Sequence, residues 1–384
     1  MKKKICVVLS SRANYSSIKS VMRAIESHPH LELILLVGAS AIIERYGKVI
    51  DVIKKDGFNV DATFHILIEG SSLITMAKST GLGLIELPNL FERFNPDVVL
   101  TVGDRFETMS TTLAAAYMNI PLAHTMGGEV SGTIDESIRH AITKFAHIHF
   151  PACEGAKKRI IRLGEDPKHV HMVGCPRIDL VSELIKENKF KLNKNFFSSG
   201  VGSFIDLDKP FVLISQHPVT TEFGKGEEQI TLTLEAVREL KIPSILLWPN
   251  ADAGADDISR VIRIWREDKK DYDMHFFKNL PIEEYIYLMQ KTSCLIGNSS
   301  SGIREGAFIG TPVVNIGSRQ NARDRGKNVI DVDYSKEEII KAVSFQIKNG
   351  KYKSQNLYGD GNAGKKIAEI LYHEKVEIQK TITY

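Results

Sequence analysis

Short runs of apolar, β-branched residues recur along the chain, separated by longer amphipathic stretches. Ile5–Leu9, Leu33–Val37, Val98–Val102, Ile120–Ala123 and Val170–Val173 read as strands, with helix-like segments such as Ser17–Glu26 and Thr108–Met118 between them. The alternation predicts βαβ units. Because the strand runs are continuously apolar, not alternating, both faces of each strand are expected to be covered, as in a mainly parallel sheet. After a break the rhythm restarts, with Phe211–Ile214, Ser244–Trp248, Cys294–Ile296 and Val313–Ile316 as strands and Ile230–Leu240, Ile282–Gln290 and Ile303–Phe308 as helices. The fold class predicted is α/β, doubly wound, in two domains.

The break lies where Lys, Asn, Ser, Gly and Asp replace the apolar periodicity. Residues 1–185 form the expected first domain, 186–208 a linker, 209–360 the second domain, and 361–384 a tail whose helix, Ala363–His373, packs back on the first domain. A length of 384 residues exceeds one ordinary core and suits two domains with a cleft between them. Hydrophobic residues at 43% and charged residues at 25% exclude disorder and fibrous repeats. With 50 Lys and Arg against 47 Asp and Glu, the net charge of +3 gives no general attraction for nucleic acid or an anionic membrane, so any anion site is local. The four cysteines, Cys6, Cys153, Cys175 and Cys294, are too scattered for a disulfide framework or a zinc ribbon. The apolar run after the N-terminal lysines is too short for a signal peptide, and a cytoplasmic location is expected.

Candidate chemistry gathers where strands end and helices begin, the places where open α/β sheets bind ligands. Ser10–Ser16 follows the first strand. There Arg12 can meet an anion at a helix start, or Ser16 can simply cap that helix with Arg12 in water. At Gly103-Asp104-Arg105-Phe106-Glu107, Asp104 reads either as a carboxylate facing the cleft or as a helix cap paired with Glu107 in a capping box. The segment His124–His140 holds three glycines, three carboxylates, two histidines and an arginine, a mixture suited to acid/base work on a hydroxylated ligand. In its helix, Ile138, Ile142 and Phe145 fall on one face and Glu136, Arg139 and His140 on others, with Glu136 read as surface charge. The pairs His147/His149 and His169/His171 lack a partner carboxylate or thiol pair and are read as ordinary histidines, so no metal site is expected.

In the second half, His217 follows the strand Phe211–Ile214 and reads as a ligand contact or a turn residue. Asn250 lies in a turn-rich strand exit that contacts ligand or caps a helix. Gly297–Glu305 runs from strand through three serines into a helix. Successive small residues there let backbone N–H groups converge on a diphosphate, Arg319 supplies countercharge, and Glu305 can accept ribose hydroxyls. A plain capped helix needs only one of those serines.

Together, GDRFE (103–107), GGEVSGTIDESIRHAITKFAHIH (127–149), QHPVTTE (216–222) and GNSSSGIRE (297–305) followed by GSRQ (317–320) resemble the hydrolysing UDP-N-acetylglucosamine 2-epimerases over about residues 5–372. The resemblance implies GT-B architecture, two Rossmann-like domains of which the second holds UDP. It also implies a reaction: loss of the C2 proton and of UDP gives a 2-acetamidoglucal, and water then adds with inversion at C2 to release N-acetylmannosamine. Asp104, Glu129 and Asp135 are implied as acid and base, with His217, Arg12, Arg105 and Arg319 around UDP. Ser16, His124, Asn250, Leu280, Ser299, Ser300 and Glu305 complete the expected ligand-binding set. Non-hydrolysing relatives carry a loop like HVEAGLR in place of GGEVSGTIDES, which favours hydrolysis here.

Two positions depart from the pattern. Met126 stands where a Glu is usual, and Asn14 replaces the Asp of RADY. Met carries no proton, so either Glu129 or Asp135 covers that role or the substrate differs there, with the less polar UDP-N,N'-diacetylbacillosamine as the alternative sugar. A UDP-sugar-binding protein without turnover and a GT-B glycosyltransferase are the readings from other classes. No cofactor is expected. The expected partners are the UDP-sugar and UDP, with further copies of the chain in a homodimer or homotetramer, and neither nucleic acid nor membrane.

Overall fold

The structure is a computed structural model that describes residues 2–70, 72–131, 134–187, 192–193, 195–249, 253–267, 273–278 and 280–383. Contacts divide the chain into two compact units. The first comprises Met1–Val130, Ile134–Ser182 and Tyr358–Tyr384, and the second Ser131–Thr133 with Glu183–Leu357.

The first unit is built on a sheet of β1 (Lys3–Leu9), β2 (Leu31–Gly38), β3 (Ala62–Phe64), β4 (Val98–Val102), β5 (Leu122–Thr125) and β6 (Ile148–Phe150). The order is β3-β2-β1-β4-β5-β6 and every pairing is parallel. Ile5–Leu9 and Val98–Val102 are buried throughout, as continuous apolar runs require when helices cover both faces. Val170–Val173, expected as a strand, makes only an isolated bridge from Val170 to His149. The sixth strand is instead Ile148–Phe150, whose flanking histidines mask its apolar character. A 22-residue helix, Leu73–Phe94, lies in a stretch where no helix was foreseen, because Gly81, Gly83 and Pro88 interrupt its sequence. Gly83 is needed there: a Cβ at that position would lie 2.6 Å from Ser110 on the neighbouring helix.

The second unit carries β7 (Val201–Gly202), β8 (Val212–Ser215), β9 (Ser244–Leu247), β10 (Met274–Phe277), β11 (Cys294–Gly297), β12 (Val313–Ile316) and β13 (Val329–Val332), ordered β13-β12-β11-β8-β9-β10-β7. Only β7 runs antiparallel. It lies inside 186–208, where Phe196 and Ile205 are also buried, so part of that polar segment belongs to the second sheet.

The helix Ala363–His373 packs on the helix Arg12–Ser27 within the first unit. Asp179 caps it by accepting from the N–H groups of Ala363 (2.9 Å) and Gly364 (2.7 Å). Among the described residues no helix is long and apolar enough to cross a membrane.

Leaving β7 aside, both sheets share one order: the first strand of each unit (β1, β8) lies beside its fourth (β4, β11). That neighbourhood is the topological switch point, where connections leave in opposite directions and a crevice opens beyond the strand ends. In the first unit, Asn14 ties the two strand ends together. Its Nδ2 donates to the Val102 carbonyl (2.9 Å) and its Oδ1 accepts from Ser11 Oγ (2.8 Å). Asn14 is 5% exposed, and only an amide offers both polarities at this position. The expected result of Asn14→Asp, which sets an oxygen against the Val102 carbonyl, is a loss of about 1–3 kcal/mol in urea unfolding at pH 7. An unchanged midpoint would show that this tie contributes nothing.

Candidate active site

Beyond the end of β4 the backbone turns through Gly103 at φ 75°, a left-handed conformation that glycine adopts without steric cost. The turn delivers Asp104 to the switch point. Arg139, on the helix Asp135–Phe145, donates to Asp104 Oδ2 from Nε (2.9 Å) and also from Nη2. Its Nη1 donates to the Glu129 carbonyl (2.8 Å) and to Glu136 Oε2 (2.8 Å), and His140 Nε2 lies 2.8 Å from Glu136 Oε1. Burial works against the charge of Arg139, but Asp104, Glu129 and Glu136 outweigh it and hold the guanidinium above its ordinary pKa.

This arrangement corrects the helix-face expectation. Arg139, Ile142 and Thr143 are buried, whereas Ile138 is half-buried and Phe145 exposed, so the inward face is rotated toward the arginine. Glu136 is a ligand of Arg139 and not idle surface charge. Arg139 is thus the residue that sequence reasoning undervalued; its three- and four-residue spacing to Ile142 and Thr143 was the available signal. The capping-box alternative for Asp104 also fails. The helix Phe106–Tyr117 has Arg105 at its N-cap without a side-chain cap, and Glu107, 1% exposed, pairs with Arg105 Nε at 3.2 Å.

Other expected residues fall around this turn with differing exposure. Glu129 is 1% exposed, and Asp135 is half-buried as the first residue of its helix. Arg12 is exposed at the first position of the helix Arg12–Ser27, whose cap is Ser11 and not the foreseen Ser16. Ser16 sits inside that helix with its hydroxyl on the Ala13 carbonyl (3.2 Å). His124, expected to touch ligand, is wholly buried, with Nε2 3.1 Å from the Gly103 carbonyl and Nδ1 3.4 Å from Thr143 Oγ1. Burial, which dominates, pushes its imidazole down to about 3, so the ring stays neutral at working pH. Met126, at φ 61°, is a side chain in a conformation that methionine rarely adopts. It is buried against Cys175, Sδ to Sγ 3.7 Å, and a Cβ placed on Gly103 would stand 4.0 Å from its Cε. A thioether therefore lies beside the Asp104 turn.

The second unit repeats the plan with different side chains. Gly297, at φ 129°, ends β11 so close to β8 that a Cβ would lie 2.2 Å from the Ser215 carbonyl. Asn298 then locks the two strand ends: its Oδ1 accepts from the His217 N–H (2.7 Å) and its Nδ2 donates to the His217 carbonyl (2.9 Å). The Asn298 carbonyl accepts from Arg319 Nη1 (3.3 Å) and Gln320 Nε2 (2.9 Å), which gathers His217, the serine loop and Arg319 around one backbone unit. Asn298 was not singled out in the sequence, though it sits within the serine motif.

The three serines divide their work. Ser299 caps the helix Ser300–Ile309 by accepting from the Ser301 N–H, and Ser301 turns inward to Ser299 Oγ (2.8 Å) and Tyr285. The cap uses one serine, and Ser299 and Ser300 are half-buried at the opening turn. Glu305 is buried within the helix, and Leu280 is 9% exposed just ahead of the helix Ile282–Lys291. Glu222, in the motif QHPVTTE, accepts from Ser318 Oγ and braces the turn that carries Arg319. Asn250 lies outside the described residues. Among the described residues no group of three or more His, Cys, Asp and Glu is arranged to hold a metal ion.

Comparison with known proteins matches this arrangement to one family. A curated relative from Legionella pneumophila, UDP-N,N'-diacetylbacillosamine 2-epimerase (hydrolyzing), is 34% identical over 371 residues, 97% of this chain and 96% of that protein. Another, from Campylobacter jejuni, GDP/UDP-N,N'-diacetylbacillosamine 2-epimerase (hydrolyzing), is 34% identical over 86% of this chain and 84% of its own length. Among solved structures, the UDP-GlcNAc 2-epimerase of Neisseria meningitidis bound to UDP-GlcNAc superposes with a TM-score of 0.80 at 20% identity, covering 96% of this chain and 99% of that one. The Methanocaldococcus jannaschii UDP-GlcNAc 2-epimerase in complex with UDP-GlcNAc and UDP gives 0.80 at 20% identity over 97% and 100%. The shared fold is the GT-B type, α/β with two Rossmann-like units. With the sequence profile described as UDP-N-acetylglucosamine 2-epimerase matching residues 23–372, the chain belongs to the UDP-N-acetylglucosamine 2-epimerase family.

Proposed function

We propose that the chain is a hydrolysing 2-epimerase that converts UDP-N-acetylglucosamine and water into N-acetylmannosamine and UDP, a step that feeds synthesis of sialic-type acids. The observation that carries this reading is Asp104, delivered by a glycine turn to the switch point and held by a buried arginine. A carboxylate gripped by a guanidinium is held in a fixed orientation, the positioning that a general base needs. Loss of the C2 proton to a carboxylate and departure of UDP with the C1–O electron pair leave a C1=C2 double bond. Water then adds its oxygen at C1, while a proton returned to the opposite face of C2 inverts that centre. Asp104, Glu129 and Asp135 are the groups assigned to these transfers. The diphosphate is assigned to the opening turn of the helix Ser300–Ile309 in the second unit, with Arg319 and His217 beside it.

A second reading keeps the chemistry and changes the sugar to UDP-N,N'-diacetylbacillosamine, the precursor expected on a route to legionaminic acid. Met126 favours it. A thioether packed on Cys175 beside the Asp104 turn offers apolar contact and no hydrogen bond, which suits a 6-deoxy sugar better than one with a 6-hydroxyl. The two relatives at 34% identity carry that substrate in their names.

Turnover of both UDP-sugars by the purified protein in deuterated water separates the readings. Deuterium at C2 of a released 2-epimer is expected; transfer to an acceptor without exchange would indicate a glycosyltransferase, and binding without release a non-catalytic protein. Met126→Glu is expected to shift relative kcat/KM toward UDP-N-acetylglucosamine if the diacetylated sugar is the natural one, and an unmoved ratio would remove Met126 from substrate selection. The division of labour is tested by two variants. Asp104→Asn is expected to bind UDP normally and lose most of kcat, whereas Arg319→Ala weakens UDP binding by about 1.5–3 kcal/mol in calorimetry. Equal losses of both properties in both variants would contradict it.

A further inference from the structure

His124 is wholly buried at the end of β5. Its Nε2 lies 3.1 Å from the carbonyl oxygen of Gly103, the residue whose left-handed turn launches Asp104. A carbonyl only accepts, so Nε2 carries the hydrogen and donates. Nδ1 is then the bare nitrogen, and it faces Thr143 Oγ1 at 3.4 Å, on the helix that also carries Arg139. The pocket admits nothing larger on that side: a Cβ on Gly127 would lie 2.8 Å from Nδ1. Gly127 and Gly128 open the motif that carries Glu129 and Asp135, so the room for this ring is written into the same loop. The ring stands clear of protonation because burial disfavours its charge, and His149 on β6 and Arg139 add to that, against Gly103 and Asp104.

We infer that His124 is a positioning residue: by fixing the Gly103 carbonyl from beneath, it sets where Asp104 stands relative to Arg139 and the reacting carbon. The two restraints are complementary. Arg139 grips the Asp104 carboxylate, and His124 grips the backbone one residue earlier. Misplacement of a reacting group by about 1 Å can cost on the order of a hundredfold in rate while leaving substrate affinity nearly intact. His124 thus acts on kcat through geometry and not by transferring a proton. This inference rests on the epimerase reading for its kinetic consequence, and its structural consequence stands apart from turnover.

The test uses the full-length protein and two amides. In His124→Gln the side-chain nitrogen reaches the place of Nε2 and can still donate to Gly103; in His124→Asn it reaches only the place of Nδ1, and the Gly103 bond is lost. His124→Asn is expected to lower kcat by about 10- to 100-fold with KM within about twofold. His124→Gln is expected to keep kcat within about threefold of the parent, with a superimposable pH–rate profile. In an Asp104→Asn background, His124→Asn is expected to cost less than about threefold, because the group it positions is already gone. Equal losses in the Gln and Asn variants, or a full loss surviving in the Asp104→Asn background, would overturn the inference. A limb missing from the pH profile of His124→Gln would also overturn it, by making the ring a proton-transfer group. Crystal structures of the two variants give an answer without turnover: displacement of the 103–104 turn in His124→Asn alone supports the role, and an unmoved turn sinks it even if no UDP-sugar is a substrate. Should His124→Asn fail to fold, His124→Met, apolar and of similar length, replaces it in each comparison.

Discussion

A guanidinium that is 1% exposed cannot be left alone, and most of the first unit's chemistry follows from how Arg139 is answered. Removing one partner from a buried ion pair costs about 3–5 kcal/mol, far more than the pair's net contribution, because the remaining charge is stranded. Asp104, Glu136 and the Glu129 carbonyl answer it together. The helix Asp135–Phe145 turns its arginine inward together with Ile142 and Thr143. The Asp104 carboxylate at the strand edge is thereby anchored to the interior.

Each unit uses an asparagine for the same mechanical task. Asn14 reaches from the end of the first strand to the carbonyl that closes the fourth. Asn298 reaches the other way, from the end of the fourth strand of its unit to both backbone groups of His217. Strand ends at a switch point diverge, which leaves peptide groups without ladder partners. An amide side chain supplies a donor and an acceptor at once, and a carboxylate does not. Asn14 thereby serves the packing of the two strand ends.

Much of the fold was legible because continuous apolar runs have few alternatives: Val98–Val102 and Val313–Ile316 are strands over the foreseen residues. What escaped was decided by tertiary contact. Ile148–Phe150 is too short and too rich in neighbouring histidines to register as a strand. The helix Leu73–Phe94 hides behind glycines and a proline that its packing against Ser110 requires. At the site, strand-end positions are readable from motif order, and Asp104, His217 and the serine loop do follow the ends of β4, β8 and β11. Arg139 and Asn298 are not legible in this way, because their importance lies in the partners they reach, and those partners are 35 and 81 residues away in the chain. His124 shows the reverse error: its place in a dense motif suggested contact with ligand, and burial removed it.

The first unit is discontinuous, since Tyr358–Tyr384 belongs to it while Glu183–Leu357 does not. At Gly174 and Gly359 the outgoing and returning segments approach so closely that a Cβ on Gly174 would lie 2.8 Å from the Gly359 Cα. During synthesis the first unit consequently emerges from the ribosome first yet is completed last, waiting for its closing helix until the second unit has been made. A nascent chain stalled before residue 358 holds one finished module and one open one, so the face of the helix Arg12–Ser27 that awaits the closing helix is the part that a chaperone would need to shield.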